Sequence, residues 1–179
     1  MKRLFNSVIF LLVCGCAALN SCASGSDFIM LPIDLEEWEV GYSFSDQVGK
    51  ITEFVRSGED VKNWTELFTY KAFKRSYSPN IDSFVDPLIE QITRPCPDNI
   101  VFNVISRGLP TETEEESILF EYNLKNCPPE ADQHFIGKVI FGKYSIFYIF
   151  YIQKTADLEP EKRKQWIEKL SAATVIVLK

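Results

Sequence analysis

The sequence holds a single histidine, only eight glycines, and no glycine-rich loop of the kind whose backbone amides cradle phosphate. A lone imidazole cannot build a zinc site, which takes several nitrogen, sulfur or carboxylate ligands at characteristic spacing. No G-x-S-x-G nucleophile elbow occurs, and the five cysteines include no C-x-x-C pair. Lys and Arg number 19 against 25 acids, a formal charge of −6 without any basic stripe. Phosphate backbones and anionic lipid surfaces repel such a surface, so nucleic-acid binding is disfavoured. Glu112, Glu114, Glu115 and Glu116 form an acidic run, but it lacks EF-hand spacing and reads as a solvated loop. No cofactor and no metal are therefore expected. A hydrophobic content of 46% excludes a disordered stalk.

The amino terminus is informative. Met1, Lys2 and Arg3 precede an uncharged stretch, residues 4–19, with the apolar run of residues 8–13 at its heart. A basic end, an apolar middle and small residues near a cleavage point define a secretory signal. A membrane span needs about 20 predominantly apolar residues, and Asn6, Gly15 and Asn20 interrupt this stretch. Leu19-Asn20-Ser21-Cys22 resembles the bacterial lipobox, in which an aliphatic residue and then a small residue precede the modified cysteine. Val13-Cys14-Gly15-Cys16 resembles it too. Cleavage before Cys22 leaves Cys96 and Cys127 as the remaining thiols, whereas cleavage before Cys16 leaves an odd one. An unpaired thiol is awkward in an oxidising compartment. Cys22 is accordingly the expected lipidation site, with Cys16 as the alternative. The resemblance implies acyl chains on the cysteine and hence a membrane anchor without a spanning helix. Ala23, where an Asp would favour inner-membrane retention, points to the outer membrane, facing the periplasm. The expected organisation is a signal peptide over residues 1–21, a lipidated tether over 22–27 and one domain over 28–179. Removal of the signal takes Lys2 and Arg3 with it and makes the charge two units more negative.

Within the domain the periodicity is mostly that of strands. Trp38, Val40, Tyr42 and Phe44 alternate with Glu37, Glu39, Gly41 and Ser43. Residues 50–56 form a second run, ended by the turn cluster Ser57-Gly58-Glu59-Asp60, and residues 64–73 a third, rich in Thr and aromatics. Residues 100–105 are apolar on both faces, which predicts a central strand. Ile118, Phe120, Tyr122 and Leu124 alternate with Leu119, Glu121, Asn123 and Lys125. Residues 134–141 and 145–154 flank Gly142-Lys143-Tyr144, a hairpin connection. The run of residues 146–152 would be an aggregation hazard at an edge, so it belongs in the centre with both faces covered.

Two helices stand out. Ile81, Phe84, Val85, Leu88, Ile89 and Ile92 make one apolar stripe, with Ser78 or Asn80 as cap and a kink or break expected at Pro87. The second opens with Leu158-Glu159-Pro160-Glu161 and turns Trp166, Ile167, Leu170 and Thr174 inward. Residues 174–178 suit a closing strand. The order of strands, helix, four strands and helix predicts an α+β fold, a mostly antiparallel sheet with two main helices on its faces. That order resembles the Mog1/PsbP-like α-β-α sandwich. The segments Asn63-Trp64-Thr65-Glu66, Arg94-Pro95-Cys96-Pro97, Asn126-Cys127-Pro128-Pro129 and Asp132-Gln133-His134 are also similar to those of an uncharacterised family of small bacterial envelope proteins. The resemblance covers residues 36–173 and implies membership, not activity.

Few residues invite chemistry. Cys96 and Cys127 lack the partners of a metal site or a redox thiol pair, so a structural disulfide is expected. His134 and Asp132, two apart in an extended segment, share a face and suggest a base with its orienter. No nucleophile can be named beside them, which favours a structural histidine. Trp64 and Glu66, with His134, are the candidate interaction surface, because an aromatic among amides and carboxylates suits binding. No residue is expected to be catalytic. The expected role is a lipid-anchored accessory module with an envelope protein partner. A hydrolase using His134 and Asp132 is one alternative, and the 14 Phe, 7 Tyr and 3 Trp suggest another, a carrier of an apolar ligand.

Overall fold

The computed structural model describes residues 26–34, 36–111 and 115–178. The expected signal segment, Cys16, Cys22, and Glu112 and Glu114 of the acidic run lie outside the described residues. Among the described residues the strands are β1 (Ser26–Met30), β2 (Trp38–Ser45), β3 (Gly49–Arg56), β4 (Glu66–Lys74), β5 (Ile100–Gly108), β6 (Glu116–Leu124), β7 (Gln133–Phe141), β8 (Ser145–Gln153) and β9 (Thr174–Leu178). Helix α1 (Ile81–Thr93) precedes β5, and α2 (Pro160–Ser171) precedes β9.

The unbroken apolar run of β8 dictates the centre. It occupies the middle of a seven-stranded antiparallel sheet ordered β2-β3-β4-β8-β7-β6-β5. Phe147, Ile149 and Tyr151 point to one face, and Ile146, Tyr148 and Phe150 to the other, all buried. Each face therefore needs its own cover. On one side α1 places Ile81 and Val85 over Phe120, Phe135, Val139 and Tyr148. On the other, α2 places Trp166 and Leu170 over Phe68, Ile136, Ile149 and Tyr151, and the antiparallel ribbon of β1 and β9 covers the rest. Trp166 stacks on Tyr151 with centroids 4.1 Å apart. The result is an α+β fold with a mostly antiparallel sheet and one helix on each face.

Local sequence explains the helix ends. The Asn80 side chain accepts the Ser83 N–H at 2.8 Å and caps α1. Lys138 is buried in β7, and its ammonium donates to the carbonyls of Ser171 and Ala173 at 2.9 and 3.0 Å. A cation there satisfies carbonyls that α2 leaves unpaired at its end.

Three expectations are corrected. The segment expected to be a central strand, β5, lies at the sheet edge. Ile100 and Phe102 pack on the α1 side and Ile105 on the α2 side, because a bulge between Val104 and Ser106 changes the face that the strand presents. The apolar pattern thus reflects a switch of face, while Val101 and Val104 stay exposed. Helix α1 runs through Pro87 without a break. Pro87 lies on its exposed side, where the stripe does not need it. Ser26 and Asp27, expected in the tether, already belong to β1.

Cys96 and Cys127 are bonded, with Cα atoms 5.9 Å apart. The bond ties the segment after α1 to the β6–β7 connection and joins the α1-side core. Closing a loop of 31 residues contributes about 3–4 kcal/mol in the chain-entropy account. Replacing both cysteines by Ala should lower the urea-unfolding free energy by about that much and raise the slope, because the unfolded chain is then less compact. An unchanged midpoint would show that the bond constrains nothing.

Candidate functional site

The α2 face of the sheet carries an unusual amount of buried charge. Register places one residue from each strand in a row across it: Trp38, Arg56, Glu66, Gln153, His134, Asn123 and Val101. The neighbouring row on that face is Phe54, Phe68, Tyr151, Ile136, Glu121 and Asn103. Helix α2 brings Lys162 and Arg163 to these rows, one turn before Trp166.

Two carboxylates receive those cations. Glu66 accepts from Arg56 Nε and Nη2 at 3.0 and 2.7 Å and also from Lys162. Arg56 in turn lies 4.4 Å over the Trp38 ring and reaches Glu37 at 2.6 Å. Glu121 accepts the Arg163 fork, Nε and Nη2, at 2.7 Å each, and the Asn103 amide at 3.1 Å. Burial pushes both carboxyls up, but the cations outweigh it, and both sit below the usual glutamate value. The first half of α2 is thereby fastened to the sheet at β4 and at β6.

His134 sits beside the second pair and is 4% exposed. The Leu158 N–H points at Nδ1 from 3.4 Å, and Nε2 faces Glu121 Oε2 at 3.5 Å. An Nδ1 that faces a donor carries no proton, so the neutral ring holds its hydrogen on Nε2, toward the carboxylate. Burial pushes the imidazole below its ordinary value, against the pull of Glu121. Asp132 takes no part in this: it accepts the Asn126 N–H at 2.8 Å and holds the β6–β7 connection, where Asn126 adopts a positive φ of 53°.

These residues border a cleft of about 240 Å³ beside the β5 edge, lined by Val101, Asn103, Glu121, Asn123, His134, Asp157, Leu158 and Arg163. No hydroxyl or thiol side chain is in that lining, so the imidazole has no protein nucleophile there to activate. Among the described residues no group of His, Cys, Asp and Glu is placed to hold a metal ion.

The structure separates the three residues of the expected interaction surface. Glu66 and His134 share the α2 face, with β8 between their strands, and their side chains are 12% and 5% exposed. Trp64 is half-buried against the core of the opposite face, with the Lys154 ammonium 4.4 Å over its ring. Glu121 and Arg163 escaped the sequence reading, because alternation alone assigns Glu121 to a solvent face. The available signal was in α2: Lys162 and Arg163 fall four and three residues before the inward Trp166. They share its side of the helix and so require buried counter-charge.

No family model matches the chain, and no curated protein matches it either.

His134 is the one histidine of the chain. Its folded value lies below the unfolded one, so in the window between them the unfolded chain binds a proton that the native state does not. Its contribution to stability is complete above about pH 6.5 and declines as pH falls through that window. The wild-type urea midpoint should therefore fall relative to His134→Phe between about pH 7 and pH 5. Glu115, raised by burial and by Asp27 and restrained by Arg75, acts equally in both proteins. Parallel curves across that range would remove the assignment.

Proposed function

We propose that the protein is a bacterial envelope lipoprotein, acylated on Cys22 after loss of residues 1–21, whose domain is a non-catalytic interaction or accessory module. The anchor rests on Leu19-Asn20-Ser21-Cys22, and the Cys96–Cys127 bond fits an oxidising compartment. Ala23 favours the outer membrane, with the domain facing the periplasm. The observation that carries the non-catalytic reading is the setting of His134. Both ring nitrogens face protein groups, and the adjoining cleft offers no nucleophile. A hydrolase that pairs His134 with a serine or threonine would need that hydroxyl within reach. A carrier of an apolar ligand would need an enclosed apolar cavity, whereas this cleft has Asn103, Glu121, Asn123, Asp157 and Arg163 in its lining. We assign the domain to the Mog1/PsbP-like class by the likeness of a large antiparallel sheet with a helix on each face; fold class alone assigns no activity.

An envelope protein is the expected partner. The edge strand β2 suits that role better than the buried Glu66 and His134, since Val40, Tyr42 and Phe44 are exposed along it. An open edge offers main-chain hydrogen bonds to an extended segment of another chain.

Cys22→Ser should abolish incorporation of a fatty-acid label in cells. Label that persists in Cys22→Ser and disappears in Cys16→Ser would move the anchor to Cys16. His134→Ala should complement a gene deletion at normal abundance, because a lost structural contact costs only about 0.5–1.5 kcal/mol. A general acid or base is worth typically 10²–10⁴-fold in rate, so a null phenotype at wild-type abundance would overturn the non-catalytic reading and make Asp132 the next residue to test.

A further inference from the structure

The sheet has two unlike ends. At one lie the β2–β3 turn, the segment after β4, the β5–β6 connection, the β7–β8 turn and the start of β1. At the other lie the β3–β4 and β6–β7 connections, the disulfide, the residues after β8 and the His134 cleft. Strands of nine residues separate the two by roughly 26 Å.

Asp27 fixes the start of β1 to the first end. Its Oδ2 accepts the N–H groups of Tyr144 and Ser145 at 2.6 and 2.9 Å. The contact needs glycine at position 142, where a Cβ would come within 2.5 Å of that oxygen. Further hydrogen bonds extend the link: Arg75 N–H to Tyr144 O at 2.9 Å and Lys74 N–H to Val48 O at 3.2 Å. Cys22 precedes Ser26 by four residues, a reach of at most about 14 Å. An acylated Cys22 therefore keeps this end of the sheet within a short distance of the lipid headgroups.

Exposed apolar residues are distributed accordingly. Val48 is 45% exposed, Tyr77 59% and Leu109 70%, all in connections at the Asp27 end. No large exposed hydrophobic residue occurs in the described connections at the opposite end, where Val101, 72% exposed, belongs to β5 and lines the cleft. Lys143 lies 5.1 Å over the Tyr144 ring at the same tip. Tyrosine and a long lysine stem suit an interface that is apolar on one side and wet on the other. Glu115 and Glu116 stand at this end too, so apolar and aromatic side chains make the contact, not a basic patch.

Building on the Cys22 anchor proposed above, we infer that Val48, Tyr77, Leu109 and Tyr144 form a membrane-contact face that rests on the lipid surface and points the β3–β4 and β6–β7 connections and the His134 cleft away from it. The anchor thus sets an orientation, and partners reach the domain from the cleft end and along the β2 edge.

The test uses the full acylated protein with a nitroxide label on a single added cysteine, the native pair remaining oxidised. Val48→Cys and Leu109→Cys report the proposed face, and Lys62→Cys, in the β3–β4 connection, reports the far end. Accessibility to a water-soluble nickel complex is compared in detergent and in vesicles of phosphatidylethanolamine and phosphatidylglycerol. Vesicles should reduce access several-fold at positions 48 and 109, leave position 62 unchanged, and do so at high as at low salt. Equal access at all three positions, in protein that floats with the vesicles, would overturn the orientation while the anchor stands. Protection already present in detergent and rising with protein concentration would assign the face to a second copy and overturn the lipid contact. Protein whose intact mass shows no acyl chain, and which fails to float, would remove the anchor and the orientation with it.

Discussion

The fold depends on one constraint: β8 is apolar on both faces along almost its whole length. A strand of that kind cannot lie at an edge or against water on either side. It therefore requires paired neighbours and two separate covering layers. Strands β4 and β7 supply the neighbours. Helix α1 with the disulfide covers one face, and α2 with the β1–β9 ribbon covers the other. The chain order follows from this, since each helix must leave the sheet on the side that it covers.

The two covers are not equivalent. Under α1 the contact is between apolar and aromatic side chains, among them the stacked rings of Phe102, Phe120, Phe135 and Tyr122. Under α2 the aromatic centre, Trp166 on Tyr151, is flanked by Glu66 with its two cations and by Glu121 with Arg163. Such charges cost free energy to bury unless they are paired and hydrogen-bonded, and here each carboxylate meets a cation from α2. The arrangement fixes where α2 sits along the sheet more narrowly than apolar packing could. His134 occupies the gap between Glu121 and Leu158, which makes it part of the joint between the sheet and the chain entering α2.

The polarity of the molecule from end to end follows from the same topology. Antiparallel strands collect alternate connections at opposite ends. The start of β1 and the exposed apolar connections fall together at one end, and the disulfide and the cleft fall at the other. With the proposed anchor at Cys22, a short tether would have a geometric consequence that a long one would not have.

Much of this was readable from residues in order. The α+β class, the central place of the β8 run, the β7–β8 hairpin, the Asn80-capped helix, the closing strand and the Cys96–Cys127 pair all follow from periodicity, turn chemistry and cysteine count, which are local or nearly local properties. The edge position of β5, the strand at Ser26–Met30 and the Glu121–Arg163–His134 joint do not. A bulge reassigns the faces of β5, and β1 becomes a strand only because β9, almost the whole chain away, pairs with it. Glu121 reads as a solvent-facing residue until α2 is laid over it. Alternation states which residues share a side of a strand; only tertiary packing decides which side is covered, and by what charge.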